Sequence, residues 1–273
     1  MIQTAVNVSI VTYRTAPEEL ERCLSCLTSK YIRYVYIIDN GRDDAISEIC
    51  VRHGCRYIPN ENVGYGAAHN IAMRRSMEGE ADFHLVLNSD VYFAYSAIDS
   101  IVEYMSAYTR VGMVQPRILS PDGTLQYSVR RLPSPQDLFC RRFLPHMFFS
   151  RRDDRYLLKH LDHNKAFNVP YHQGSFMMIS RNALLKSGLF DERFFMYPED
   201  IDLTRRVHRH MLTMYYPEVE VIHCHRAESY RSMRMTWIHI VNMIKYFNKW
   251  GWWNDEERRR FNAMLDIDNS LIS

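Results

Sequence analysis

The alternation of short apolar runs with amphipathic helical segments over residues 6–87 constrains this chain most. Val6 to Thr12 reads as a buried strand. Thr15 can cap the helix that follows, with Pro17 in its first turn and Glu18 three residues on. Leu20, Cys23, Leu24 and Leu27 then recur at helical spacing. Tyr34 to Ile38 reads as a second strand that ends at Asp39-Asn40-Gly41, and Ile46 to Val51 as a helix closed near Gly54. A short strand, Arg56 to Ile58, leads to a glycine-containing loop, Asn62 to Gly66, a helix from Ala67 to Met77, and a fourth strand, Phe83 to Leu87. Short connections between alternating strands and helices imply a mostly parallel sheet covered on both faces. Ligands of such sheets collect beyond the carboxyl ends of the strands, so the residues just after each strand are where chemistry is expected.

The second half is patterned differently. Ser120-Pro121-Asp122-Gly123 is a turn, expected in a hairpin. Val169 to Ser180 reads as extended with a helix from Arg181, and Glu199 to His210 as another helix. Glu218 to His225 alternates as a strand with Val219, Val221, His223 and His225 on one face. Trp237 to Trp253 is an aromatic helical tail. These patterns divide the chain into a domain over residues 1–232, with halves at about 1–115 and 116–232, and an extension over 233–273. With 47% apolar and 24% charged residues the chain can bury a real core. Its net charge of +2 is too small to argue for nucleic acid. Neither a spanning apolar stretch nor a basic-then-apolar leader is evident, so a cytoplasmic home is expected. Cys23 and Cys26 have the CxxC spacing of zinc ligands, but Cys23 falls on the apolar helical stripe and reads as a small buried hydrophobe.

Five segments carry candidate chemistry. Asp39, at a strand terminus, can accept from a base N–H or a ribose hydroxyl, or simply shape the Asp-Asn-Gly turn. In Asn62-Val63-Gly64-Tyr65-Gly66-Ala67-Ala68-His69-Asn70 the two glycines let backbone approach a ligand closely, and the helix N-terminus that follows favours anions. Leu87-Asn88-Ser89-Asp90 delivers a carboxylate at a strand end, where it suits a divalent cation bound to a diphosphate. Tyr197-Pro198-Glu199-Asp200-Ile201-Asp202 places three carboxylates at a helix start, which the helix dipole favours and which can supply a general base. Asp202, on the next part of the turn, is expected to face solvent. His223-Cys224-His225 aims both imidazoles to one side, where one can complete a metal's coordination, and Arg226, Ser229 and Arg231 follow as phosphate contacts.

Taken together and in this order, Val8-Ser9-Ile10-Val11-Thr12-Tyr13, Ile38 to Gly41, Asn62 to Asn70, Leu87 to Asp90, Gly174 to Arg181 and Phe190 to Asp200 resemble the family 2 inverting glycosyltransferases with a GT-A fold. The look is that of the rhamnosyltransferase-like branch that builds bacterial surface polysaccharides. The resemblance implies an α/β, Rossmann-like, mostly parallel sheet flanked by helices, here with a helical C-terminal extension. It implies that Thr12, Tyr13 and Asp39 bind the nucleoside, with Ser89, and that Asn62, Gly64 and Asn70 form the loop over the nucleotide. Asp90 matches the last aspartate of the DxD metal motif, whose first carboxylate is replaced by Asn88. Asp200 matches the catalytic base with Glu199 as its acidic neighbour, His223 or His225 the third metal position, and Gly174 and Ser175 the acceptor side. The implied cofactor is a divalent cation, Mn²⁺ or Mg²⁺. The implied partners are a nucleotide-diphosphate sugar, dTDP-rhamnose first and a UDP-hexose second, and a glycan or lipid-linked glycan acceptor such as growing O-antigen or capsule.

Two segments mix basic and aromatic residues in a way that suits a bilayer surface, Arg141 to Arg152 and Trp237 to Trp253, which would put the protein at the inner face of the cell membrane. The alternative is that these aromatics pack against the protein's own core or against a subunit, as in a homodimer. The alternative function is a non-catalytic nucleotide- or carbohydrate-binding protein that keeps the fold, which Asn88 suggests and Asp90, Asp200 and the histidines oppose. A nucleotidyltransferase would carry a Gly-rich basic loop after the first strand, and Thr12 to Pro17 holds no glycine.

Overall fold

The computed structural model describes residues 4–138, 150–224 and 233–266. Its centre is one sheet, built in chain order from β1 (Val6–Thr12), β2 (Ile32–Asp39), β3 (Arg56–Pro59), β4 (Phe83–Leu87), β5 (Val91–Phe93), β6 (Val111–Leu119), β7 (Phe167–Asn168), β8 (Phe176–Ser180) and β9 (Leu212–His223). The order across the sheet is β3-β2-β1-β4-β8-β6-β9-β5, with β7 also on β9. The first four strands pair in parallel, as the alternation requires. β8 then enters antiparallel between β4 and β6, while β9 runs parallel to β6 and antiparallel to β5 and β7. The sheet is therefore mixed, parallel over β1 to β4 and largely antiparallel over β5 to β9.

Helices cover both faces. α1 (Pro17–Ser25), α2 (Asp44–Arg52) and α4 (Ala97–Ala107) bury Leu20, Leu24, Ile46, Ile49, Ile101 and Met105 on one side against Val8, Ile10, Leu85 and Leu87. On the other lie α3 (Tyr65–Glu78), α6 (Arg181–Ser187) and α7 (Glu199–His208), which pack Met73, Leu184, Leu203 and Val207 against Val86, Met113 and Met177. Each fully buried aliphatic side chain stabilises by about 1.5–3 kcal/mol relative to exposure, so the two layers account for the sheet's central position. β1 and β4 carry apolar residues on both faces because both are covered. Their polar exceptions are paired: the Ser9 hydroxyl lies 2.7 Å from His69 Nδ1 and 2.8 Å from His84 Nε2, and His84 Nδ1 lies 2.7 Å from Ser76 Oγ. Burial keeps both imidazoles neutral, with His84 pushed down to about 3.

The C-terminal extension is helical, as expected, through α8 (Met233–Trp250) and α9 (Glu256–Met264), with a further short helix α5 (Ser150–Tyr156) beside it. Tyr156, Phe194, Ile201, Tyr246, Phe247 and Phe261 form one apolar cluster that joins the extension to α7. Arg205 of α7 is fully buried and pairs with Asp255 at 2.6 and 2.7 Å and with Glu257 at 2.7 Å.

Several local expectations are corrected. α1 is capped by Ala16 without a side-chain bond, and Thr15 Oγ1 instead accepts from the Tyr13 N–H at 3.3 Å, so Pro17 alone marks the helix start. α8 stops at Trp250, and Gly251 at φ +100 turns the chain before Trp252 and Trp253. β5, α4 and β6 had no counterpart in the sequence reading. Cys23, by contrast, is the buried apolar side chain that its helical spacing implies: it sits in the core with its Sγ 3.5 Å from the Asn88 carbonyl, and burial pushes its thiol well up.

Candidate active site

Strand polarity assembles the site. β1, β2 and β4 end on one edge of the sheet, and the antiparallel β8 begins there. Thr12, Asp39, Asn88 and the Gly174–Ser175 pair are thereby brought to the same edge, and the Asn88 N–H donates to the Ser175 carbonyl at 2.9 Å. β5 returns antiparallel to β9, with Val91 opposite His223. That pairing sets Asp90 Oδ1 3.4 Å from His223 Nε2.

Gln126 and Ser120 hold the His223 side of the pair. Gln126 donates through Nε2 to the His223 carbonyl at 2.8 Å and to Ser120 Oγ at 3.1 Å. Its Oε1 is therefore the group that faces His223 Nδ1 at 3.1 Å, which places a proton on Nδ1 and turns Nε2 toward Asp90. A carboxylate oxygen and an imidazole Nε2 this close are the kinds of donor that suit an Mn²⁺-like ion, with the ring oriented through Nδ1 as metal-binding histidines are. Among the described residues no group of three or more His, Cys, Asp or Glu side chains gathers for a metal. His225, Arg226, Ser229 and Arg231 lie outside the described residues, as does most of Arg141 to Arg152.

Glu199 and Asp200 open α7, both buried. Asp200 Oδ2 accepts from the Gly174 N–H at 3.0 Å and Oδ1 from the Ile201 N–H at 2.7 Å. Burial raises Asp200 above the usual carboxylate range, against these N–H groups and the nearby Arg130 charge. Glu199 is also raised, by burial first and by the Asp200 charge second, and its Oε2 has no hydrogen-bond partner among the described residues. Burial thus makes it costly for both carboxylates of the pair to be charged at once, and the two N–H bonds favour the charge on Asp200. Tyr65 links the elements: its hydroxyl lies 2.9 Å from Asn88 Oδ1 and within hydrogen-bond reach (2.6 Å) of the Gly174 carbonyl.

A cavity of about 450 Å³ is lined by Gln126, Arg130, Gln173 and His223 among others. Gln173 precedes the glycine whose N–H bonds Asp200, and His223 is the partner of Asp90, so the cavity adjoins both groups through these neighbours. A larger cavity of about 640 Å³ lies between α5 and α9, lined by Arg131, Arg151, Arg155 and Arg258 among others, and none of the expected site residues reaches it.

Asp39 is buried and its carboxylate is engaged four times: by Thr12 Oγ1 at 3.0 Å, the Gly41 N–H at 2.9 Å, the Asp43 N–H at 2.6 Å and the Tyr57 hydroxyl at 2.9 Å. Thr12 and Asp39 thus form a clamp on the β2 turn, while Tyr13 beside them is exposed. Ser89 donates to Glu19 of α1 at 2.7 Å. Asn62 accepts from the Gly64 N–H at 3.3 Å.

The reason expected for the glycines is corrected. A Cβ on Gly64 would lie 2.2 Å from the Phe195 carbonyl oxygen, and one on Gly66 would press on Phe190 at 2.9 Å and Glu199 at 3.2 Å. The close approach is real, but it is made by the protein's own 190–199 segment. Asn70 works to the same end, accepting from the Phe190 N–H at 3.0 Å and donating to the Phe190 carbonyl at 2.9 Å and to Glu192 at 2.9 Å. The motif thus docks the segment that carries Asp200. Asp202 is also corrected: it is fully buried, accepting from Arg206 at 2.8 Å, Lys249 at 2.6 Å and Trp250 Nε1 at 2.8 Å. Gln126, Arg130 and Tyr65 were missed. Only Tyr65, between two glycines in a named motif, carried a local signal; Gln126 and Arg130 reach the site through tertiary packing.

Comparison with known proteins agrees with this architecture. The profile of the family described as Glycosyl transferase family 2 matches residues 8–188. The chain is 33% identical over 240 residues to the N-acetylglucosaminyl-diphospho-decaprenol L-rhamnosyltransferase of Mycobacterium tuberculosis, covering 81% of this chain and 76% of that protein. It is 24% identical to Rhamnosyltransferase WbbL of Escherichia coli, over 83% of this chain and 87% of that one. The crystal structure of GalNAc-T7 with UDP, GalNAc and Mn²⁺ superposes with a TM-score of 0.59 at 15% identity, covering 82% of this chain but only 44% of that one, which supports the fold alone.

Proposed function

The chain belongs to glycosyl transferase family 2, a glycosyltransferase of GT-A-like fold, and we propose that it transfers a sugar with inversion from a nucleoside-diphosphate donor to a hydroxyl of a cell-surface glycan acceptor. L-Rhamnose from dTDP-rhamnose is the first choice of donor and a UDP-hexose the second. The relatives named as rhamnosyltransferases support the sugar, and the decaprenol-linked substrate in one of those names supports a lipid-linked acceptor. The observation that carries the reaction is Asp200, buried and held by two backbone N–H groups, one of them from Gly174, next to the Gln173 that lines a cavity with His223.

The chemistry assigned to these residues is a single displacement. Asp200 takes the proton of the acceptor hydroxyl as its oxygen attacks the anomeric carbon, and the diphosphate leaves from the opposite face. Hydrogen bonds from the Gly174 and Ile201 N–H groups aim the Asp200 carboxylate and favour its charged form. Arg130 lends positive potential to the cavity. Asp90 and His223 would hold a divalent cation, which supplies charge neutralisation for the diphosphate when bound. No Ser or Cys nucleophile is required, because inversion in one step needs no covalent intermediate.

Thermal shift with UDP, dTDP, GDP, ADP and NAD, each with and without Mn²⁺, tests donor class: a ligand that prefers the folded state raises the melting temperature. A shift with UDP or dTDP that Mn²⁺ enlarges is expected. Asp200→Asn should retain that shift while transfer falls by about 10²–10⁴-fold. Full transfer by this variant would remove Asp200 from the role of base.

A further inference from the structure

We propose that the outer face of α8, with the turn that follows it, is a docking surface for an anionic bilayer interface. α8 is apolar on two sides. Its inner side buries Met243, Tyr246 and Phe247 in the cluster shared with Phe194 and Ile201. Its outer side exposes Met233, Trp237, Val241 and Ile244, which recur at intervals of four, four and three residues and so form one stripe. The exposure is large, 79% for Met233 and 62% for Trp237. Trp253, beyond Gly251, is 64% exposed, and Trp252 is exposed beside it. A surface helix in water needs only one apolar side, and the second one calls for a covering medium.

Charge selects the medium. Between Met233 and Trp250 there is no aspartate or glutamate; Lys249 is neutralised on the inner side by Asp191 and Asp202, and Arg234 and Lys245 are the exposed cations. Exposed Arg234 and Lys245 lie along one border of the apolar stripe. A helix with an apolar stripe, a basic border and tryptophans toward its ends lies in the headgroup region of a membrane, its cations toward anionic lipid. No helix among the described residues is long and apolar enough to cross a membrane, so this face would rest on the bilayer and not span it.

The inner side gives the surface a consequence. Lys245 donates to the Arg193 carbonyl at 2.8 Å, Asn242 to the Met196 carbonyl at 3.0 Å, and Lys249 pairs with Asp191 at 2.7 Å. The His239 ring lies 4.8 Å from Tyr197, which stands at φ +93 two residues before Glu199. One helix thickness, about 10 Å, therefore separates the docking face from the segment that carries Asp200. Docking would bring that segment to the membrane surface, within reach of an acceptor anchored there. The surface itself is argued from α8 alone and does not rest on the transfer reaction.

Co-sedimentation of the full chain with vesicles of phosphatidylcholine, alone or mixed with phosphatidylglycerol, tests the proposal. The wild type is expected to sediment with the anionic vesicles and to be released by salt. The double variant Trp237→Glu, Ile244→Glu, with unchanged circular dichroism, is expected to lose about tenfold or more of that partitioning. Equal binding of the variant, or no wild-type binding to either vesicle, overturns the proposal. So does a wild-type dimer that the variant disperses without vesicle binding, which would assign the face to a second copy. Should the variant unfold, wild-type fluorescence decides. All four tryptophans lie at positions 237, 250, 252 and 253, so brominated lipid must quench their emission; no quenching overturns the docking.

Discussion

Gly64→Ala tests how the Asn62–Asn70 motif and the base segment are joined. Gly64 stands at φ +96 and ψ −179, a region that essentially only glycine occupies. Forcing alanine there costs about 1–3 kcal/mol in backbone strain. The added Cβ would also lie 2.2 Å from the Phe195 oxygen, 2.9 Å from its carbonyl carbon and 3.0 Å from its Cα, all backbone atoms that cannot rotate away. Relief requires the two segments to part, which breaks the 2.9 Å bond from the Tyr65 N–H to the Phe195 carbonyl and loses about 1 kcal/mol more. The sum is about 2–4 kcal/mol. Gly54→Ala is the matched control: φ is +64, nothing lies within 4 Å of the new Cβ, and the expected loss is about 1 kcal/mol. Urea unfolding of both variants measures the difference. Because Phe195 leads into Glu199 and Asp200, the parting should also lower kcat for transfer by about 100-fold, the scale of a displacement near 1 Å. Two results refute the reasoning. One is equal destabilisation by the two alanines. The other is a Gly64→Ala enzyme with normal kcat whose only defect is nucleotide affinity.

Other perturbations follow from the same contacts. The folded-state pKa of Glu199 is raised above 4.5, so its contribution to stability is present below about that pH and is lost as pH rises through the raised value. Glu199→Gln should therefore flatten the decline in urea midpoint between acid and alkaline pH, and an unchanged slope would show that Glu199 is not the group responsible. Gln126→Leu removes the acceptor on His223 Nδ1 and should raise the Mn²⁺ concentration needed for the nucleotide-dependent thermal shift by about 10–100-fold; an identical Mn²⁺ titration would break the link. Lys249→Met leaves Asp202 with Arg206 and Trp250 and should destabilise by about 2 kcal/mol and lower kcat more than it alters KM. Lys249→Arg should restore both, and a stability loss with kcat intact would confine Lys249 to holding the extension in place.

Much of the fold follows from the chain's own periodicity. Val6 to Thr12, Tyr34 to Ile38 and Phe83 to Leu87 read as strands because a doubly covered parallel strand is apolar on both faces, a property of each segment alone. Asp90, Glu199 and Asp200 were legible because they occupy strand and helix termini, where unsatisfied backbone groups and the sheet edge concentrate chemistry. β5 is three residues long and pairs with β9 from far along the chain, so no local pattern announces it. Yet that pairing sets His223 against Asp90. Gln126 and Arg130 belong to the same class, as polar residues whose meaning depends on what packs beside them.

Asp202 and Gly64 mark the division. Local spacing places Asp202 at a helix start and is silent about Lys249 and Trp250, which come from the C-terminal extension. Local spacing names Gly64 as a point of close approach and does not say that the approaching atom is the Phe195 carbonyl. Hydrophobic periodicity and terminal carboxylates act over a few residues, so most elements and reactive ends are legible locally, with β5, α4 and β6 as the exceptions. Charge pairing, backbone clearance and ring orientation are satisfied across tens to hundreds of residues, so the tertiary structure alone decided which ends share a cavity and which only hold it in place.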